Sequence, residues 1–244
     1  MTTPTATTTM DWTAETLKQI SADFEGRPPD EILRWGIANF APDIAMATGF
    51  GPEGVALMHL LSQVAPETTV FYLDTDLLFK ETYELRDELE ARLGIRFTRV
   101  HSGLSLEAQA GQHGPTLWQR DPNLCCHLRK VEPLRRFLAT QRAWITGIRR
   151  DQTSVRAKAD LVESDRANGL VKLNPLANWT RDQVWDHIHT YQLPFNRLHS
   201  FGYPTIGCWP CTLPVAEGDD LRAGRWVGFE KTECGIHLQG SDRT

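Results

Sequence analysis

The sequence has no apolar run that approaches the roughly 18 residues a helix needs to cross a bilayer. Residues 1–9 carry neither the basic nor the apolar region of a secretory signal, so we expect a cytosolic protein with a disordered lead over residues 1–13. Positive charge is also scarce, with 26 Lys and Arg against 31 Asp and Glu. The net charge of −5 argues against general nucleic-acid binding, so neither a membrane nor a nucleic acid is expected as a partner.

Two common nucleotide-binding signatures are missing. The glycine-rich residues 49–54 are not followed by the Gly-Lys-Ser/Thr of a Walker A loop, and their spacing differs from the Gly-x-Gly-x-x-Gly dinucleotide fingerprint. They do connect a predicted strand at residues 44–48 with a helical pattern at residues 55–64. Such a turn can bind an anion on free backbone N–H groups and the helix dipole, although a tight turn without a ligand has the same pattern.

Cysteine occurs only five times, and in a cytosolic protein clustered cysteines more often bind a metal or act in catalysis than form disulfides. Four of them form the adjacent pair Cys125-Cys126 and the loop Cys208-x-x-Cys211, while Cys234 stands alone. Four thiolates suit zinc or an iron–sulfur cluster. Adjacent cysteines cannot form the hairpin of a usual zinc site, so the spacing favours a cluster, with zinc and a dithiol redox pair as alternatives.

The hydrophobic pattern predicts an α/β fold, because short apolar runs without polar alternation are separated by helical patterns. We therefore expect a parallel sheet with helices on both faces. Residues 160–169 are predicted to be a mobile charged loop, and residues 101–124 a weakly patterned connection. Strands are predicted at residues 44–48, 69–73, 95–100, 144–146 and 171–173, and helices at residues 14–24, 30–40, 55–64, 79–93, 125–138 and 181–191.

Ligands of parallel sheets bind beyond the carboxyl ends of the strands. The turn at residues 49–54 and the segment 74–76 both follow predicted strands, and so do Arg149, Arg150 and Arg156. Together they predict a phosphate or nucleotide site, with the three arginines as an anion clamp. A solvated basic loop is the alternative explanation for the arginines.

Longer motifs, extending from about residue 40 to 240, resemble those of the assimilatory sulfonucleotide reductases. They are Gly51-Pro52-Glu53, Leu73-Asp74-Thr75 with Glu81-Thr82, Cys125-Cys126-x-x-Arg129-Lys130-Val131-Glu132-Pro133-Leu134, Trp144-Ile145-Thr146-Gly147-x-Arg149-Arg150, Asn174-Pro175-Leu176-x-x-Trp179-Thr180, His199-x-x-Gly202-Tyr203-Pro204-x-Ile206-Gly207-Cys208-x-x-Cys211 and Glu233-Cys234-Gly235-Ile236-His237-Leu238. The four paired cysteines resemble the cluster-bearing branch, typically adenylyl-sulfate (APS) reductases. The branch that uses the 3′-phosphorylated nucleotide (PAPS) usually lacks them.

The resemblance implies a three-layer α/β domain of the adenine-nucleotide alpha-hydrolase (PP-loop) type over residues 14–213, and a mobile C-terminal tail at residues 214–244. It implies Cys234 as a nucleophile that attacks the sulfur of APS, so that AMP leaves and an S-sulfocysteine remains. Thioredoxin, or a glutaredoxin-like dithiol, would then release sulfite, in sulfate assimilation and cysteine biosynthesis. It also implies one 4Fe–4S cluster per chain, held by Cys125, Cys126, Cys208 and Cys211.

The resemblance further implies which residues contact the substrate. Cations would surround the sulfate, because the nucleophile and the substrate are both anions. The implied contacts are Lys130, Arg222, Arg225 and His237 at the sulfate, Arg156, Thr48, Phe50 and Gly51 at the remaining phosphate and ribose, and Leu73 and Gly147 at the adenine.

Three positions depart from the family pattern. Gly49 and Gly54 replace polar residues of the anion-binding turn, and Asp76 stands where glycine is common. The charge of Asp76 would disfavour a nearby 3′-phosphate and so favour APS. PAPS reduction or dual specificity is the alternative, and a non-enzymatic nucleotide-binding iron–sulfur sensor is a more distant one. A related ATP-pyrophosphatase-type ligase or thiolase would need a Ser-Gly-Gly-x-Asp-Ser loop, which is absent. The sequence does not decide whether the chain forms a homo-oligomer.

Overall fold

The computed structural model describes residues 12–236. The helices are α1 Ala14–Phe24, α2 Pro29–Phe40, α3 Pro52–Val64, α4 Lys80–Leu93, α5 Leu106–His113, α6 Leu117–Arg120, α7 Pro122–Cys126, α8 Glu132–Leu138 and α9 Arg181–Thr190. The strands are β1 Ile44–Thr48, β2 Thr69–Asp74, β3 Phe97–His101, β4 Ala143–Ile145, β5 Val162–Asp165 and β6 Leu170–Leu173. A π-helical turn, His127–Val131, joins α7 to α8, and two 3-10 turns cover Arg197–Phe201 and Trp209–Cys211.

A six-stranded sheet with the order β3-β2-β1-β4-β6-β5 forms the centre of the molecule. All neighbouring strands are parallel except β5, which pairs antiparallel with β6. The prediction of a mobile loop at residues 160–169 was therefore wrong. Polar residues form this edge strand because Glu163 pairs with the buried Lys172 at 2.8 Å and Asp165 accepts a hydrogen bond from the Trp144 indole at 3.1 Å.

The strands send alternate side chains into two separate cores, as their period of two requires. Met46 and Ile145 belong to a core shared with α1, α2, α3, α4 and α9. Ala45 and Trp144 belong to a second core, which α8 covers. The predicted three-layer α/β architecture is confirmed, and it leaves the carboxyl ends of the parallel strands free for a site.

Residues 101–124 contain more structure than predicted. The three short helices α5, α6 and α7 lie here, capped in part by the side chains of Ser105 and Asp121. Buried Arg129 ties this segment to the sheet, because its guanidinium donates to Gln109 Oε1 at 2.8 Å and to the Thr75 carbonyl at 2.9 Å. No helix between residues 12 and 236 is both long and apolar enough to cross a bilayer.

The described part of the predicted tail, residues 214–236, folds back on the domain. Thr212 and Arg225 form an isolated β-bridge, and the Trp226 indole is buried. Ile236 packs against the second core. Within residues 12–236 the tail therefore lies against the domain, and its mobility stays a prediction.

Candidate active site

A cleft of about 370 Å³ opens at the carboxyl ends of the central strands. Its floor comprises Thr48 at the end of β1, Leu73 in β2 and Gly147 just after β4. The size falls within the roughly 300–1,000 Å³ of small-molecule sites. The cleft thus lies where open parallel sheets bind their ligands.

The turn after β1 presents backbone rather than side chains to this cleft. Thr48 Oγ1 accepts a hydrogen bond from the Phe50 N–H at 3.0 Å, and Phe50 has a left-handed φ of 58°. The Phe50 ring is buried against Tyr72 and Phe97, with centroids 5.4 and 5.1 Å apart. Any contact of Phe50 with a ligand would therefore use its main chain.

Two glycines let the chain pass closely through this region. A Cβ atom at Gly54 would lie 2.6 Å from Thr48 Oγ1, and one at Gly147 would lie 3.1 Å from Glu53 Cβ. The Thr48 hydroxyl thus fills the space that a side chain at position 54 would need. This gives a physical reason for the glycine at position 54. The N-terminal end of α3, which carries the positive end of the helix dipole, therefore lies at the cleft.

The three arginines after β4 do not form one clamp, contrary to the prediction. Arg149 is buried and pairs with Glu53 at 3.1 Å and with Asp151. Arg150 pairs with Glu25 and does not line the described cleft. Arg149 and Arg156 both line it, and the Arg156 guanidinium remains a candidate anion contact.

Asp76 also fails to play the predicted part. Its carboxylate pairs with Arg99 at 2.8 Å and with Arg129 at 3.0 Å, and it does not line the cleft within residues 12–236. Although burial opposes its charge, Asp74 has a pKa below its usual range because Tyr83 and Arg99 donate to it. Both aspartates organise the loop after β2, so the structure does not support the argument for APS from the charge of Asp76, which stays a prediction.

The tail brings Cys234, Arg222 and Arg225 to the same cleft as the glycine-rich turn, and Lys130 joins them from the π-helical turn. Cys234 is half-buried and lies close to Lys130 and Arg222. A negative charge on its sulfur would favour the protonated, positively charged forms of both side chains. Conversely, such cations stabilise a thiolate. His237, the remaining predicted contact, lies outside the described residues.

One carboxylate occupies two of the predicted anion contacts. Glu233 Oε2 lies 2.9 Å from Arg156 Nη2 and 3.5 Å from Arg222 Nη2, and the Thr153 hydroxyl donates to Glu233 Oε1 at 3.4 Å. The Glu233 side chain is only 5% exposed. Burial lowers the pKa of Arg222, while Glu233 favours its charged form.

The other four cysteines line a second, smaller cavity beside the cleft. Lys130 and Arg225 line both. Cys208 is placed by the loop after β2, because the Trp209 N–H donates to the Leu77 carbonyl at 2.8 Å and the Thr75 hydroxyl lies 3.2 Å from Cys208 Sγ. The four thiols lie at Cys125, Cys126, Cys208 and Cys211.

The electrostatics of this cavity oppose four thiolates without a bound cation. Burial, together with the neighbouring thiols, raises the pKa of Cys125 to about 12 and that of Cys211 to about 11. The pKa of Lys130 lies above its usual range because neighbouring Cys208, Cys234 and Cys126 outweigh the effect of burial. Among residues 12–236 no three His, Cys, Asp or Glu side chains are placed to hold a single metal ion.

Sequence reasoning missed the cleft residue His199 and also Glu233, whose carboxylate pairs with two arginines that line the cleft. Both stand in motifs that carry the family resemblance, but an acidic residue beside a nucleophile appeared unfavourable, and no residue type beside His199 marked it as a ligand contact. Only the fold shows that Glu233 meets two arginines and that His199 lines the cleft.

Comparison with known proteins identifies the family. Residues 43–214 match the model of the phosphoadenosine phosphosulfate reductase domain. The chain is 52% identical to adenosine 5′-phosphosulfate reductase of Salinibacter ruber over 232 residues, which cover 95% of this chain and 92% of that protein.

Solved structures agree with the fold. The phosphoadenylyl-sulfate reductase of Candida auris, a phosphate complex, superimposes with a TM-score of 0.73 at 29% identity, covering 84% of this chain and 99% of that one. The FMN adenylyltransferase of Candida glabrata, in complex with FAD and pyrophosphate, gives a TM-score of 0.54 at 17% identity, covering 82% and 74%, and so shows the fold alone. This chain therefore belongs to the phosphoadenosine phosphosulfate reductase domain family, as its motifs predicted.

Proposed function

We propose that this chain is an oxidoreductase that converts adenylyl sulfate to sulfite and AMP in sulfate assimilation. One observation carries the proposal: Cys234, Lys130, Arg222 and Arg225 line the same cleft as the glycine-rich turn after β1. The relative in Salinibacter ruber is named for this substrate, and the two chains match over nearly their full lengths.

In the first step the Cys234 thiolate attacks the sulfur of the bound sulfonucleotide. A sulfur–sulfur bond forms, the bond between sulfur and the bridging oxygen breaks, and AMP leaves with that oxygen and the electron pair. The product on the protein is an S-sulfocysteine. The thiolate is the reactive form of cysteine, so its stabilisation by nearby cations favours attack.

The cations of the cleft solve the electrostatic problem of this step, in which an anion attacks an anion. Lys130, Arg222 and Arg225 come from two different segments and meet beside Cys234. Fixed positive charges in a partly dry site stabilise the charge that develops on the leaving phosphate and on the sulfonate. Arg156 and the backbone of residues 49–54 would bind the nucleotide's own phosphate, and Leu73 and Gly147 would present backbone groups to the adenine. We retain His237 as a further sulfate contact.

We propose that Cys125, Cys126, Cys208 and Cys211 hold one 4Fe–4S cluster. The donor set fits, because four thiols line one cavity and an iron–sulfur cluster takes four cysteine ligands. A cluster is larger than one ion, so adjacent cysteines can each reach a different iron. When bound, such a cluster would let the four cysteines be held as thiolates and would tie the segment that carries Lys130 to the loop that carries Cys208 and Cys211.

A dithiol protein of the thioredoxin or glutaredoxin type would complete the cycle. One of its thiolates attacks Cys234 Sγ and expels sulfite, and its second thiol then resolves the mixed disulfide, so the partner leaves oxidised and Cys234 returns to a thiol. None of the five cysteines forms a disulfide. The chemistry needs Cys234 reduced, which favours a cytoplasmic location.

The sharpest test compares sulfite release from APS and PAPS by anaerobically purified protein. We expect sulfite from APS with a dithiol reductant, and none from the Cys234→Ser variant, which should still bind AMP. Faster release of sulfite from PAPS than from APS would mean that the substrate is PAPS, the nucleotide for which the Candida auris relative is named. Sulfite from neither nucleotide would contradict the proposal, and full activity of Cys234→Ser would contradict the mechanism.

A further inference from the structure

Three buried polar side-chain atoms between residues 12 and 236 have no hydrogen-bond partner, and all three belong to residues that line the cleft. They are Arg156 Nε, Arg225 Nε and His199 Nε2. A buried polar group without a partner loses its hydrogen bonds to water without replacement, so such groups are rare in a folded protein. Two are cationic donors that suit an anion. His199 is different, and neither the resemblance nor the anion chemistry assigns it a role.

The position of His199 fixes which of its ring nitrogens carries the proton. Nδ1 lies 2.8 Å from the Tyr203 carbonyl oxygen, which can only accept a hydrogen bond, so Nδ1 is the donor. In the neutral ring Nε2 is then an acceptor. Burial lowers the pKa of His199, although Glu53 nearby opposes this effect, so the ring is neutral near pH 7.

The ring is also held in place. Trp185 of α9 packs against it edge-on at 5.4 Å between centroids, and the His199 N–H donates to the Asn196 carbonyl at 3.0 Å. Asn196 is itself buried, and its side chain caps the 3-10 turn through the Leu198 N–H at 3.0 Å. His199 therefore presents a fixed, buried acceptor at the wall of a cleft whose other polar groups are mostly donors.

We propose that His199 Nε2 accepts a hydrogen bond from a ribose hydroxyl of the bound nucleotide. Phosphate and sulfate oxygens cannot serve, because they are acceptors too. The ribose is the donor-bearing part joined to the phosphate, and His199 lies near Glu53, which belongs to the turn where that phosphate would bind. A phosphorylated hydroxyl has no proton to donate, so the same contact disfavours a nucleotide that is phosphorylated at that oxygen.

The inference rests on the proposed function and can be tested apart from it, by calorimetric binding of AMP and its two monodeoxy analogues. We expect wild-type protein to bind one analogue roughly 3–10-fold more weakly than AMP, the loss of one hydrogen bond to a neutral acceptor. The His199→Phe variant keeps a ring against Trp185 and should bind AMP and that analogue equally. His199→Gln, which retains an acceptor, should recover part of the difference. The exposed His189, which also contacts Trp185, offers the control variant His189→Phe, with wild-type discrimination.

Equal binding of AMP and both analogues by the wild type would overturn the inference without any variant. Discrimination that persists undiminished in His199→Phe would overturn it as well. Failure of AMP to bind at all would instead contradict the proposed function.

Discussion

Glu233 stands beside the nucleophile Cys234, where a negative charge would be expected to oppose a thiolate, but its carboxylate instead pairs with two arginines. Its carboxylate neutralises Arg156 and Arg222, the two cations that it contacts, from within the tail. An anionic ligand that enters the cleft therefore competes with a side chain of the protein itself. Closing the tail and binding the substrate anion use the same positive charges.

We predict that Glu233→Gln binds AMP about 3–10-fold more tightly than the wild type, because removal of the competing anion frees both guanidinium groups. Isothermal calorimetry measures the change directly. Glu230→Gln removes a charge from the exposed part of the same tail and should leave the affinity unaltered. Unchanged or weaker binding by Glu233→Gln would mean that Glu233 supports the site instead of competing with its ligand.

Among the secondary-structure elements, those with strong hydrophobic patterns could be predicted closely. The first helix and the first strand have the predicted bounds, because each is an apolar or amphipathic run ended by turn residues. Strand β5 and helices α5 to α7 could not be predicted. Their residues are polar or few, and tertiary pairs such as Glu163 with Lys172 and Arg129 with Gln109 hold them.

Helices α3 and α9 meet at a pair of histidines that makes their contact sensitive to pH. His59 Nδ1 lies 3.1 Å from His187 Nε2, an arrangement in which one ring donates and the other accepts. Burial lowers the pKa of both rings, with Arg92 adding to the effect at His59, and the pKa of His187 falls to about 4. Tyr191 packs against both.

Because the folded pKa of His187 lies below the value of about 6.5 in an unfolded chain, the unfolded state binds more protons between these two pH values. The stabilisation by the neutral pair is therefore complete above pH 6.5 and is lost as the pH falls towards 4. Because solvent screens this partly exposed ring, the full shift overstates the effect, and we predict that the free energy of unfolding drops on the order of 1–2 kcal/mol more in the wild type than in His187→Phe over this range. Urea denaturation at several pH values measures this. The exposed His189 provides the control His189→Gln, with the wild-type slope, and an equal slope in His187→Phe would disprove the linkage.

On the scale of the whole molecule, the site has two parts. The carboxyl ends of the central strands could be located from sequence motifs, whereas the path of the tail could not. Residue types and spacing sufficed to select three segments as candidate parts of a site: the glycine-rich turn, the cysteine pair and the Cys-x-x-Cys loop. The first and last of these lie far apart along the chain. The path of residues 214–236 depends on contacts such as buried Trp226, whose ring meets the Arg225 guanidinium at 4.4 Å. No local pattern in the sequence encodes that contact.

We predict that AMP or substrate makes residues beyond about 215 more resistant to trypsin, because the nucleotide's phosphate draws together the arginines of the tail and of the domain. Cleavage after Arg222 and Lys231 should slow, whereas cleavage after the exposed Arg96 should not change. Mass spectrometry of a digestion time course separates the two. Equal rates at all three sites with and without AMP would argue against a ligand-dependent lid.

The central claim is that Cys234 carries the sulfonate between the nucleotide and the reductant. It is tested most directly by a single turnover with adenylyl sulfate in the absence of any dithiol, followed by mass spectrometry of the whole protein and its peptides. We predict one added SO₃ group per chain, located on Cys234, released as sulfite when a dithiol is added and absent from Cys234→Ser. An unmodified Cys234 in protein that has released AMP from adenylyl sulfate, or an adduct on any other cysteine, would contradict the account.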